Sequence, residues 1–268
     1  MSASADSIMK SALVIGHPGH ELRLTTWIAQ ARPFLFVVAK GSRSGRSESR
    51  LAASRATAVE LGAIVAEPFG AAFDTELYDA ILAGDIGLFA RLTDTLRAAF
   101  VARGIDRVIT DGWQNYNPVH DLTHLVARVA AAEAGRRRGR PVACLDYPVV
   151  LGELAYAPCG PERMRIVLSE AQVKAKLDMA KRHPDIAEDV EALIAAAGRS
   201  TLRLETLHVP PPLRELLPTP IAPPWYERHG RARVAAGVYS RALSWSHMAP
   251  IVSTLAARLA LAEAELVG

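Results

Sequence analysis

The sequence predicts an α/β protein: a three-layer, Rossmann-like, mostly parallel sheet with helices on both faces and a C-terminal helical elaboration. Two observations predict it. Short, near-continuous apolar runs alternate with amphipathic stretches through the first 146 of the 268 residues. Parallel strands buried on both faces read as such runs, because the crossover helices cover both faces of the sheet. Half of the residues are hydrophobic, enough for a sizeable core.

The elements follow in order. Strand-like runs occupy 11–16, 34–39, 63–67, 105–110 and 141–146, and helical patterns fill 21–31, 48–62, 85–103 and 119–135 between them. Right-handed crossovers turn this alternation into a doubly wound layer. After Asp146 the pattern changes. Pro148, Pro158 and Pro161 mark a loop-rich stretch, helices are expected at 169–182 and 185–198, and a strand at 201–207. Pro210 to Pro224 read as an extended connector, and the last 40 residues as mostly helix. The expected organisation is one domain over 1–268, with a core of about 10–208 and an extension of about 209–268 that could roof a site.

Composition narrows the function. Charged residues are 22% and the net charge is only +3. The one basic cluster, Arg136 to Arg140, closes an expected helix, where cations complement the dipole, and no aromatic platform accompanies it. Nucleic acid is therefore not expected as a partner. Two cysteines make no disulfide framework. The N-terminus lacks a basic flank and apolar signal core, and no apolar run reaches a membrane span. The expectation is a cytoplasmic protein without stable membrane insertion, acting on a small-molecule or glycan substrate, with homo-oligomerisation left open.

Two histidine segments carry the chemistry. Gly16-His17-Pro18-Gly19-His20-Glu21 follows the first strand, and Asn117-Pro118-Val119-His120-Asp121 follows the strand near 105–110. Both lie where a strand hands over to a helix, at the carboxyl edge where open α/β sheets bind ligands. Imidazoles converging there would form an open metal site with a free position for water. His120 and His124, four apart, share a helix face. A lone histidine has a simpler reading as a polar surface or satisfied core residue, and His124 as a packing or orienting residue.

These segments resemble the LmbE-like (PIG-L-like) zinc-dependent de-N-acetylases, which carry Ala-His-Pro-Asp-Asp-Glu after the first strand and His-Pro-Asp-His after the fourth. Lys40-Gly41-Ser42, Glu48, Arg55, Glu60 and Leu61-Gly62 are similar to the family's second-strand loop and helix, and Val173 to Leu177 before His183 to its later lysine-rich helix. The resemblance implies a zinc ion held by His17, His20 and His120, with another first-row divalent metal compatible. It implies removal of an N-acyl group, acetyl foremost, from an amino sugar or glycoconjugate. It also exposes departures. The family's general-base Asp aligns with Gly19, and the first His of its second motif with Asn117.

With Gly19 unable to accept a proton, Asp121 is the first candidate relay, with Asp111 and Glu21 as others. Asn117 and Tyr116 are candidates to steady a tetrahedral oxyanion. Arg43, Glu21, His124, Tyr239 and His247 are candidate substrate contacts, Tyr239 and His247 through a tail whose Trp225 to Gly230 segment could fold over the opening. The alternative reading is a non-hydrolytic, metal-containing sugar-binding or scaffold protein.

Overall fold

A computed structural model describes residues 9–41, 47–151, 160–183, 186–218 and 222–267. Its centre is a seven-stranded sheet in the order β3-β2-β1-β4-β5-β7-β6. β1 (Ser11–Ile15), β2 (Phe34–Ala39), β3 (Ile64–Ala72), β4 (Arg107–Asp111) and β5 (Ala143–Tyr147) run parallel. β6 (Glu162–Val167) and β7 (Leu204–His208) extend the sheet antiparallel.

The helices are α1 (Thr25–Ala31), α2 (Ser47–Glu60), α3 (Asp74–Ala83), α4 (Ile86–Arg103) and α5 (Pro118–Arg138), then α6 (Glu170–Lys181), α7 (Ile186–Ala197), α8 (Leu213–Leu216), α9 (Trp225–Ala235) and α10 (Trp245–Val267). Side chains alternate along each strand, so the sheet feeds two cores. Ala12, Val14, Phe36 and Val38 pack on one side, with the apolar faces of α4, α5 and α10. Leu13, Ile15, Leu35 and Val37 pack on the other, with Trp27, Ile28 and Leu51 from α1 and α2. Leu13, Val14 and Ile15 are wholly buried, as a central parallel strand requires.

Several boundaries differ from the sequence reading. The stretch at 21–31 divides into a 3₁₀ turn, His20–Leu24, and α1. β3 runs on to Ala72 through Pro68 and Gly70, with register irregularities against β2 absorbing them. The sequence reading contains neither α3 nor β6, whose charged residues at an edge obscure strand alternation. The proline-rich connector holds the short helix α8.

The strand order reverses at β1. The chain steps from β1 out to β2 and β3, then returns to place β4 on β1's other side. The segments leaving β1 and β4 therefore flank a topological switch point, where the two crossovers diverge and leave a crevice.

Candidate metal centre

His17 and His20 leave the end of β1, and His120 stands in the first turn of α5. Asn117 caps that helix, its Oδ1 accepting from the Val119 N–H at 2.8 Å, with Pro118 at the first helical position. Ring centroids are 5.4 Å apart for His17 and His20, 5.1 Å for His17 and His120, and 4.5 Å for His20 and His120. Each offers one nitrogen to a common point, and all three nitrogens lie within 4.8 Å of one another.

The remaining ring nitrogens define which atoms face inward. His17 Nε2 lies 2.9 Å from Asp74 Oδ1, and His20 Nδ1 lies 2.8 Å from Asp111 Oδ2. A carboxylate accepts the ring N–H, so Nδ1 of His17 and Nε2 of His20 are left with lone pairs. Carboxylate partners of this kind fix tautomer and ring orientation in metal sites. His17 Nδ1 sits 3.1 Å from His120 Nε2. Ligand nitrogens on a tetrahedral zinc with bonds of about 2.0–2.1 Å are about 3.3 Å apart, so the donor set fits a small tetrahedral cation. Burial, reinforced by the neighbouring His20 and His17, holds the His120 pKa well below the ordinary imidazole value, which keeps it in the neutral, ligating form.

Asp111 is the hub. Its Oδ2 also accepts from the Gly16 N–H at 2.8 Å, and its Oδ1 accepts from the Tyr147 hydroxyl at 2.7 Å. Burial, with the Asp111 charge beside it, drives the Tyr147 pKa well above normal, so the phenol stays a donor. A Cβ at position 16 would stand 2.9 Å from Asp111 Oδ2, so only glycine permits this approach. Gly19 is constrained differently. Its φ is +103°, and a Cβ there would fall 1.9 Å from Ile186 Cδ1. An aspartate cannot take its place without rearrangement.

Asp74 opens α3 at the carboxyl end of β3, with part of its side chain exposed. Burial works to raise its pKa, but the hydrogen bond from His17 and the nearby Arg50 guanidinium help to outweigh it and hold the carboxyl below normal. Sequence reasoning misses Asp74 because it ends the third strand at 67. The available signal is an acidic residue starting a helix directly after a parallel strand.

Several expected site residues sit elsewhere. Asp121 is fully buried and turned to the β4–α5 loop, its Oδ1 accepting from the Gln114 and Asn115 N–H groups at 2.9 and 3.2 Å. Burial pushes its pKa up to about 8 against those donors. It shapes the loop rather than facing the imidazoles. Glu21 is likewise inaccessible, accepting from the Gly19 N–H at 2.8 Å and the Ser54 hydroxyl at 2.6 Å. These contacts brace the turn from within, which removes it as a substrate contact.

His124 is wholly buried, Nδ1 donating to the Asp111 carbonyl at 2.9 Å, and burial first of all lowers its pKa to about 3. It supports β4 and is closed to substrate. His247 Nδ1 accepts from the Ser244 N–H at 3.1 Å at the start of α10, a capping contact away from the imidazoles. Arg43 lies outside the described residues.

Asn117, Tyr116 and Tyr239 line a cavity of about 640 Å³ with Thr75, Tyr78 and Trp225. Asn117 is already committed twice, to the helix cap and to the Tyr78 hydroxyl. The tail is anchored here through the Trp225 N–H, which donates to the Asn115 carbonyl at 2.8 Å.

No family model and no curated protein sequence matches the chain. Among solved structures, the zinc-inhibited form of teicoplanin deacetylase Orf2 is similar over 85% of this chain and 94% of its own, at 13% identity and a TM-score of 0.47. The conserved protein TT1542 from Thermus thermophilus is similar over 79% and 98%, at 17% identity and 0.48. The pseudoaglycone deacetylase Dbv21 is similar over 86% and 93%, at 14% identity and 0.47. These are likenesses between distant chains, and the chemistry here rests on the site's own geometry.

Proposed function

We propose that this chain is a zinc-dependent amide hydrolase that removes an N-acyl group, acetyl foremost, from an amino sugar or glycoconjugate. The observation that carries the reading is the convergence of three imidazole lone pairs, two of them aimed by carboxylates, at the switch point of the sheet. The order of the two histidine motifs, which resembles that of the LmbE-like de-N-acetylases, supplies the reaction class. His17, His20 and His120 would hold a zinc ion, which would supply Lewis-acid polarisation of the amide carbonyl and acidify water toward a pKa of about 7, as sites of three neutral imidazoles do.

The chain's own groups do the rest. Asp111 and Tyr147 keep His20 in one tautomer. Asp74, hydrogen-bonded to His17 Nε2 on the side of the ring away from Nδ1, fixes the tautomer and aim of that imidazole as Asp111 does for His20. Hydrolysis adds the water oxygen to the acyl carbon as the C–N bond breaks, and one proton of that water passes to the leaving nitrogen, so that a carboxylic acid and an amine are released. Tyr78, one turn further along α3, lines the same cavity as Asn117. Burial, with Asp74 nearby, pushes its pKa up to about 12, while an Asn117 hydrogen bond works the other way. It therefore remains a neutral donor for a developing oxyanion.

The second reading is a metal-containing protein that binds without hydrolysing. Gly19 favours it, since the position of the family's base is closed to aspartate here. One experiment separates the two. Purified protein carries close to one zinc per chain under both, and His120→Ala loses it. Amine release from a panel of N-acetylated sugars and conjugates by the zinc-loaded protein supports the hydrolase, and Asp74→Asn, which loosens His17, lowers it by about 10–100-fold. Full zinc loading with no release across the panel selects the binder.

A further inference from the structure

The 640 Å³ cavity is lined from the same two elements that carry His120 and Asp74. Asn117 and Pro118 line it just ahead of His120 on α5, and Thr75 and Tyr78 line it just after Asp74 on α3. Its wall is an aromatic ladder drawn from distant parts of the chain. Tyr116 stacks on Trp225 with centroids 4.4 Å apart and planes 22° from parallel, and Trp225 stacks on His229 at 4.4 Å and 13°.

The mouth is formed by the turn between α9 and α10, where Val238 and Tyr239 remain 51% and 47% exposed. Together with the ring ladder they give the cavity an apolar and aromatic rim, with Arg233 lying 5.6 Å from the centre of the Tyr239 ring. Charge narrows the ligand further. Among the described residues no carboxylate lines the cavity, so a cation would find no counter-charge. The one guanidinium in the lining, Arg241, lies 3.5 Å from Asp79. Leu82, Ala242 and Leu243 supply apolar wall beside the rings, and hydroxyls such as those of Thr75 and Ser240 lie among them.

We propose that this cavity is a subsite for a flat, uncharged aromatic group of the substrate, adjoining the N-acyl bond presented to the imidazoles. The proposal rests on the amide-hydrolase reading and adds to it the chemistry of the group that the amine belongs to. Aromatic rings gain from offset or edge contacts with other rings beyond the area they bury, and a stacked triad presents such contacts already ordered.

The test is calorimetric titration of zinc-stripped protein with two probes, 4-nitroacetanilide and N-acetylglucosamine. The anilide binds at least tenfold more tightly, and Trp225→Ala and Tyr239→Ala each weaken it by about two- to tenfold. Tyr239 sits half-exposed in a turn, so its replacement keeps the test valid should Trp225→Ala unfold the tail. Equal or tighter binding of the sugar, or anilide binding indifferent to both substitutions, overturns the subsite. Titrating zinc back into the same stripped protein tests the hydrolase reading separately: no zinc uptake with anilide binding intact sinks that reading and leaves the subsite, so the two failures are distinct.

Discussion

Gly19 holds a backbone conformation, φ +103° and ψ −17°, that side chains bearing a Cβ seldom adopt. Its missing Cβ also leaves room for Ile186. Gly19→Asp would recreate the motif of the de-N-acetylases on paper while straining the turn. It is expected to lower stability by about 1–3 kcal/mol in urea unfolding without raising amine release. A gain of activity at unchanged stability would show that the turn relaxes freely. Asp111 makes the opposite case, since one carboxylate serves Gly16, His20 and Tyr147 together. Asp111→Asn keeps the shape but can present an amide N–H to a ring nitrogen that needs an acceptor. Zinc affinity is expected to fall about 10–100-fold, read by competition with a chelating dye.

Among the elements, the 3₁₀ turn and α1 are fixed to the antiparallel side of the sheet by Glu205 on β7. It accepts from the Thr26 and Trp27 N–H groups at 3.1 and 2.9 Å, and from Lys176 Nζ on α6 at 2.9 Å. The pair is almost wholly buried, with side-chain exposures of 5% and 1%. Removing one partner of such a pair strands the other charge, so Lys176→Met is expected to cost about 3–5 kcal/mol, measured as a shift in the urea midpoint. A change within a few tenths of a kcal/mol would show that the backbone donors alone satisfy Glu205. How much is legible in the sequence follows the same division. β1, β2, β4 and β5 announce themselves because parallel strands buried on both faces are written in apolar residues. Pro68 and Gly70 cut β3 short in the sequence reading, and that conceals α3 and with it Asp74. β6 alternates Glu162, Arg163, Met164, Arg165 and Ile166, an edge-strand pattern that charge disguises.

At the scale of the whole molecule, the three imidazoles come from chain segments about a hundred residues apart, and only the parallel pairing of β1 with β4 brings them together. The histidine motifs can be read from local spacing. The commitment of Asp121, Glu21 and His124 to internal hydrogen bonds cannot, because it depends on partners contributed by the β4–α5 loop, α2 and the end of β4. The same long-range closure makes metal binding a stability term. Zinc at a hundredfold excess over its dissociation constant is expected to stabilise the fold by about 2.7 kcal/mol, a gain that His120→Ala abolishes in thermal unfolding. A matching gain in that variant would place the metal elsewhere on the chain.

The most direct measurement is zinc K-edge X-ray absorption on the protein loaded with one equivalent of metal. The geometry predicts a single zinc with three imidazole nitrogens at about 2.0–2.1 Å and one further light-atom ligand. A first shell with fewer than three imidazoles, or the same spectrum from His120→Ala, would contradict a centre built from His17, His20 and His120.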